Sequence, residues 1–162
     1  MSQQYANYSV NDFDKFDCLK LSKLIYLVIL FVMRAYIVWV ISISNFQNQT
    51  SFIAIAFPEK QVFYMNLASG ALGLLLLVVV SLRRPEPYTW VKNIWPHARK
   101  LMIIALFFDL FVNVFAYYYW QLTSIAWLST QVAITLALIY YSAKSKRLAI
   151  NLLEFPEKLP EK

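Results

Sequence analysis

The chain has 162 residues, enough for one soluble domain, but 60% of them are apolar, against roughly 45–50% in soluble domains. This composition excludes an ordinary soluble protein. The net charge of +6 would suit a nucleic-acid-binding protein, but the basic residues lie between long apolar runs, where membrane topology accounts for them, so we expect no nucleic-acid partner. The runs predict an all-α fold, an integral membrane four-helix bundle.

The first apolar run covers residues 24–43, and twenty residues suffice to cross a hydrocarbon core of about 30 Å. Arg34 lies near the centre of this predicted helix. The preceding segment, 1–23, is polar, and we predict a cytoplasmic N-terminal segment that is either a short helix at the lipid headgroups or a disordered tail. Because a signal peptide lacks such a polar leader, we expect the first helix to be retained.

A second helix is predicted over 61–82, and it holds both glycines of the chain. One face of this helix carries small and polar residues, namely Asn66, Ser69, Gly70 and Gly73. Ser69 and Gly73 are small residues four apart, a spacing that lets a neighbouring helix approach closely. We predict that this face packs against another helix.

The third and fourth helices are predicted over 101–120 and 125–142, and the short turn between them requires an antiparallel hairpin. The third helix carries Asp109 near its middle. The fourth carries a polar stripe whose members lie within about 20° of one line along the helix. The stripe consists of Ser124, Gln131, Thr135 and Ser142, and we predict that it faces protein rather than lipid.

The basic residues predict the orientation in the membrane. Three precede the first helix, five lie in the connection between the second and third helices, and five lie in the tail, 143–162. On the opposite side only Lys60 is basic. Because basic residues collect on the cytoplasmic side, we predict that both termini are cytoplasmic, with 24–142 as the transmembrane domain and 143–162 as a basic cytoplasmic tail.

Arg34 and Asp109 lie at matching depths in their helices. Arg34 is eleven residues beyond Lys23, and Asp109 is nine beyond Lys100, so their depths differ by about 3 Å at 1.5 Å per residue. A lone charge at the centre of a membrane costs some 2.5–3.5 kcal/mol. We therefore expect a bidentate ion pair between the first and third helices, with Asn113 supplying a further hydrogen bond.

Two interpretations of this pair compete. It either fixes which helices pack and in what register, or it belongs to a proton or ion relay in which Gln131 and Thr135 line the path. The structural interpretation is favoured, because four short helices leave little room for an aqueous pathway. Transporters also tend to have broken helices in repeated halves, and the sequence indicates neither.

Three motifs lie in the first half of the chain. They are Phe13-Asp14-x-x-Asp17-x-Leu19-Lys20 with Arg34 after it, then Phe57-Pro58-Glu59 with Phe63-Tyr64 and Leu67-x-x-Gly70, and finally Arg83-Arg84. Over about the first 85 residues the chain thereby resembles a family of small, uncharacterised inner-membrane proteins of gamma-proteobacteria. It departs from the family pattern at Asp17, where glycine is usual, and at Leu21, where proline is usual. The resemblance implies a multi-pass protein of the bacterial inner membrane with four helices, and it implies no activity.

The sequence carries no catalytic motif. Cys18 and His97 are each the only residue of their type, which excludes an internal disulfide and a zinc site of paired histidines and cysteines. We expect no enzyme activity, metal or cofactor, and interpret His97 as a surface residue. The expected function is that of an accessory or assembly protein that lies in the lipid bilayer and binds other membrane proteins or itself. The alternatives are a small transporter or channel, proton-linked through Asp109, and a lipid-modifying enzyme at the cytoplasmic interface.

Overall fold

A computed structural model describes residue 5 and residues 8–44, 49–57, 59–120 and 124–156. Within these ranges every regular element is helical, apart from one antiparallel bridge between Phe13 and Leu19. The helices are α1 (Lys23–Val32), α2 (Arg34–Ser44), α3 (Gln49–Ala56), α4 (Lys60–Ser81), α5 (Thr89–Ile94), α6 (Ala98–Trp120), α7 (Ile125–Lys144) and α8 (Lys146–Leu153). Short 3-10 turns cover Val10–Asp12 and Trp95–His97.

Three of the described helical segments are long and apolar enough to cross a membrane. They are α4, the nearly continuous stretch of α5 and α6 over Thr89–Tyr119, and α7. These segments agree with the helices predicted over 61–82, 101–120 and 125–142. The pair α1 and α2 makes a fourth span if the two helices cross the membrane together. The chain is thus an all-α protein with the apolar helices of a membrane-spanning protein.

The continuous helix predicted over 24–43 is wrong, because the chain bends by 66° between α1 and α2. Neither proline nor glycine lies at this point, so the two commonest sequence causes of a kink do not account for the bend. The Arg34 guanidinium donates through Nη1 to the Phe31 carbonyl oxygen at 2.9 Å, one of the last four carbonyls of α1. The arginine therefore lies at the break, where it begins α2 and contacts the end of α1.

Both glycines of α4 face this bend. A Cβ atom on Gly70 would lie 2.9 Å from the Tyr36 ring and 3.2 Å from the Val32 carbonyl oxygen. A Cβ atom on Gly73 would lie 2.7 Å from Cγ of Met33. The glycines thus admit the bent backbone into close contact with α4, and the small-residue face predicted for packing is buried inside the protein.

The N-terminal segment and the C-terminal tail, predicted as two separate cytoplasmic segments, pack against each other. We call residues 8–22 together with α8 the terminal cap. Asn151 of α8 donates from Nδ2 to the Leu19 carbonyl oxygen at 2.8 Å and accepts at Oδ1 from the Ser22 backbone N–H at 2.9 Å. Its own carbonyl oxygen accepts from Nε1 of the buried Trp95 at 2.9 Å. The cap is therefore joined to the base of α6.

A tight turn in the terminal cap explains why glycine is usual at position 17 in the family that the sequence resembles. Asp17 has a φ of 56°, in the left-handed region that a non-glycine residue adopts only at a cost. The neighbouring Asp14 stabilises the same turn, since its Oδ1 accepts from the backbone N–H groups of Phe16 and Cys18 at 2.8 and 3.2 Å. The two aspartates therefore have opposite effects on the turn.

We predict that Asp17→Gly stabilises the protein by about 0.5–1 kcal/mol, because glycine adopts this φ without steric cost. The melting temperature in mild detergent should rise by roughly 1–4 °C. The matched control, Asp14→Gly, should lower the melting temperature, because two backbone N–H groups lose their acceptor. A decrease with Asp17→Gly would contradict the assignment of strain to this residue.

Candidate functional site

The two intramembrane charges predicted to pair lie in direct contact. Nη1 of Arg34 donates to both carboxylate oxygens of Asp109, at 3.1 Å to Oδ1 and 3.0 Å to Oδ2. The Asp109 side chain is 1% exposed and the Arg34 side chain 18%. A bidentate pair, with one hydrogen bond from each of two guanidinium nitrogens, was expected. Instead Nη1 alone donates to both oxygens, and Nη2 does not contact the carboxylate.

The second guanidinium nitrogen joins the pair to α4. Nη2 of Arg34 donates to Oδ1 of Asn66 at 2.6 Å. Ser69, one turn further along α4, donates from Oγ to Oδ1 of Asp109 at 3.0 Å. Asn66 and Ser69 were predicted only to pack against another helix. The sequence signal for their hydrogen bonds to the ion pair is that both are polar and lie on a face expected to be buried.

Asn113 completes the arrangement from α6, one turn beyond Asp109. Its Nδ2 donates to the Asp109 carbonyl oxygen at 2.7 Å and to Oδ1 of Asn66 at 3.4 Å. We call the five residues Arg34, Asn66, Ser69, Asp109 and Asn113 the membrane cluster. It connects the beginning of α2 with the middle of α4 and α6, so a single hydrogen-bonded group fixes the register of three helices.

The position of the guanidinium at the end of α1 adds to its stabilisation. The carboxyl end of a helix carries partial negative charge, and Arg34 contacts it through the Phe31 carbonyl oxygen. The guanidinium carbon also lies 4.8 Å from the centre of the Phe31 ring, in a cation–π contact. Nε of Arg34 is buried and has no hydrogen-bond partner in the part of the chain that the structure describes. The arginine is therefore balanced by one carboxylate, one helix end and one aromatic face.

This geometry limits the chemistry that the membrane cluster can carry out. Oδ1 of Asp109 accepts two hydrogen bonds and Oδ2 accepts one, and the ion pair has no net charge. Protonation of Asp109 would therefore remove the countercharge of Arg34 and leave a cation buried in the membrane, which is costly. As arranged, the cluster is suited to joining helices.

The polar stripe predicted on α7 is buried over three of its four members. Gln131, Thr135 and Ser142 are buried, and among the described residues Gln131 Oε1, Thr135 Oγ1 and Ser142 Oγ each lack a hydrogen-bond partner. Including Ser124 in the stripe was wrong. Ser124 is exposed and caps the amino end of α7, where its Oγ accepts from the Trp127 backbone N–H at 3.2 Å.

A second polar group lies where Arg83 meets the terminal cap, outside the membrane spans. Arg83 donates from Nη2 to the Glu154 carbonyl oxygen at 3.1 Å, and its guanidinium carbon lies 4.9 Å from the centre of the Trp95 ring. Burial raises the pKa of the Cys18 thiol, and the charge of Arg83 only partly opposes this. Burial likewise lowers the pKa of Arg83. Cys18 is thus a protonated, structural thiol.

Among the residues that the structure describes, no group of three or more histidine, cysteine or acidic side chains is arranged to hold a metal ion. His97 is exposed, and its Nδ1 lies 3.4 Å from the Asn93 carbonyl oxygen of the preceding turn. The membrane cluster and the buried stripe of α7 are therefore the main candidates for function in the membrane.

Comparison with known proteins identifies a family. The family described as "Protein of unknown function (DUF2919)" matches residues 8–154, and the chain belongs to it. The match includes α6, α7 and α8, which lie beyond the first 85 residues that carry the sequence resemblance. No curated protein and no solved structure matches the chain.

We predict that Arg34→Met and Asp109→Leu each destabilise the protein by about 3–5 kcal/mol, because each leaves a buried charge without its partner. The double variant should lose less than the sum of the two, since it removes both charges. Membrane abundance by immunoblot and melting temperature in detergent measure the effect. Lys92→Met, which also replaces a basic residue by methionine but at an exposed position, serves as the control. Additive losses would show that the two charges do not interact.

Proposed function

We propose that this member of the DUF2919 family is a non-enzymatic accessory protein of the bacterial inner membrane. It spans the membrane four times, with α1 and α2 as one broken span and both termini cytoplasmic, and it binds other membrane proteins or a second copy of itself. The distribution of basic residues supports this orientation. The family resemblance supports the location.

The observation that carries the proposal is the exposure of α7. Only 17% of its membrane-crossing stretch is buried, against 44% for α4 and 39% for the α5–α6 span. The buried residues Gln131, Thr135 and Ser142 lie on one narrow side of the helix. The remaining surface of α7 is open to lipid or to another protein.

A row of small residues on the exposed side of α7 favours a protein. Ser129, Ala133 and Ala137 are exposed and four residues apart, so they follow one another along the helix surface. At 100° per residue Ala133 lies about 160° from Gln131 and Thr135, on the side opposite the buried residues. We call these three residues the small-residue row. Small residues at this spacing let two membrane helices approach closely, whereas contact with lipid does not require them.

The two faces predicted to pack against protein are already occupied. Asn66, Ser69, Gly70 and Gly73 are buried against α1, α2 and α6, and Gln131, Thr135 and Ser142 are buried within the protein. A partner must therefore contact an outer surface. The small-residue row is an outer surface with the composition of a helix–helix interface.

Site-specific photocrosslinking in living cells tests this proposal. A photoreactive residue at Leu136, exposed beside the row, should crosslink to a protein of discrete mass, either a second 19.0 kDa chain or a different subunit. The same photoreactive residue in place of Ile104, which is exposed to a similar degree on α6, should crosslink to lipid. Ala133→Leu should abolish the protein crosslink, because the larger side chain prevents close approach. Ala71→Leu, at an exposed alanine of α4, should preserve it.

Crosslinks to lipid alone at both positions would contradict the accessory function. A protein crosslink at Leu136 that survives Ala133→Leu would remove the small-residue row from the interface. Neither result depends on the membrane cluster. The proposed interface on α7 can therefore be wrong while the role of the cluster in joining helices remains correct.

A second candidate function, a small proton-linked transporter, is favoured by the broken span. Discontinuous helices at the middle of the membrane are typical of transporter binding sites, and the break at Met33 adjoins the Arg34–Asp109 pair. Because protonation of Asp109 would leave Arg34 as a buried cation without a countercharge, we expect this cluster not to carry protons. Proteoliposomes under a pH gradient should therefore show no flux above protein-free liposomes. A flux that Asp109→Asn abolishes would establish the transporter instead.

A further inference from the structure

Two apolar grooves flank α1 on the outside of the protein. The first groove, of about 570 Å³, lies between α1, the beginning of α2 and one residue of α4, and it is lined by Lys23, Tyr26, Leu27, Ile29, Leu30, Met33, Ile37 and Leu77. The second groove, of about 560 Å³, lies between the amino end of α1 and the carboxyl end of α7. Leu27 lines both grooves, so they run along the two sides of one helix.

Each groove has a lysine at the same end of the bundle. Lys23 lines the first groove, and Lys144 lines the second beside Leu24, the residue that follows Lys23. Both lysines are exposed. Lys144 donates from Nζ to the Tyr140 hydroxyl at 2.9 Å, and an ammonium group has three donors, so further donors remain for a ligand. Two positive charges thus stand where the apolar grooves reach the membrane surface.

The length of the first groove matches half a membrane. Lys23 and Met33 are ten residues apart, about 15 Å along a helix, which is half of a hydrocarbon core of about 30 Å. The groove ends at the bend, because Met33 and Ile37 line it from the two sides of the break. A chain that enters beside Lys23 would therefore stop near the middle of the membrane, as an acyl chain of one leaflet does.

We propose that these grooves bind one phospholipid with an anionic headgroup. The phosphate and headgroup lie between Lys23 and Lys144, and the two acyl chains lie in the two grooves on either side of Leu27. Two grooves with one shared wall fit a lipid with two chains. Two lysines favour a headgroup of net negative charge over a zwitterionic one, since attraction to basic residues near a membrane surface depends on that net charge.

Native mass spectrometry of the full-length protein tests the proposal. The protein, delipidated in mild detergent, is titrated with phosphatidylglycerol and with phosphatidylcholine of the same acyl chains. We expect tighter binding of phosphatidylglycerol. Each lysine contributes about a factor of five in affinity for anionic lipid, so Lys23→Gln with Lys144→Gln should weaken phosphatidylglycerol binding about thirtyfold.

Two matched controls separate this site from general attraction to a basic surface. Lys92→Gln with Lys100→Gln removes the same charge from exposed lysines elsewhere and should change the affinity less than twofold. Leu27→Trp keeps both lysines but fills the grooves, and it should weaken binding at least tenfold, whereas Leu75→Trp on an exposed part of α4 should not.

Three results would overturn the proposal. They are equal affinity for the two lipids, an equal loss of affinity in the Lys92 and Lys100 control, and unchanged binding after Leu27→Trp. All the lysines concerned are exposed, so their substitution should preserve the fold, which the elution volume in size-exclusion chromatography checks.

Discussion

The buried ion pair between Arg34 and Asp109 constrains every helix around it. A charge in the hydrocarbon core costs several kcal/mol unless it is paired and hydrogen-bonded, so the chain must bring Asn66, Ser69 and Asn113 to the same depth. The arginine also binds the Phe31 carbonyl oxygen, so α1 ends where the pair is formed. Gly70 and Gly73 lie next to this point, where a Cβ atom would press against the Tyr36 ring and Cγ of Met33. The break, the glycines and the polar residues of α4 are consequences of one requirement.

Much of this could be predicted from the sequence, because hydropathy and helix length are local properties. The spans near 61–82, 101–120 and 125–142 follow from apolar runs, and the contact of Arg34 with Asp109 follows from their matching depths. The bend at Met33 could not be predicted, since no proline or glycine marks it and it accompanies the pairing of Arg34 with Asp109, 75 residues away in the sequence. The terminal cap was missed for a similar reason. Asn151 binds backbone groups near the other end of the chain, and hydropathy carries no information about such contacts.

The interior and the outer surface of the protein differ in what they can contribute to function. Inside, the five residues of the membrane cluster bind one another, which favours a rigid framework over a pathway. Outside, the small-residue row of α7 and the two grooves beside α1 remain uncovered. The row has the composition of a helix–helix contact, while the grooves combine apolar walls with lysines at one end. A protein partner and an anionic lipid can therefore occupy different surfaces of one framework.

The central claim is that the first span is broken where its buried charge is paired. Nitroxide labels at Lys23 and Ser44, the two ends of this span, give the distance across the break by pulsed electron paramagnetic resonance in lipid nanodiscs. A bend of 66° predicts a backbone separation of about 26 Å, whereas a straight helix of the same length would give about 32 Å. A distance distribution centred near the shorter value would support the account. A distance distribution centred near the longer value would contradict the account, because in an unbroken helix the Arg34 guanidinium could not bind the Phe31 carbonyl oxygen.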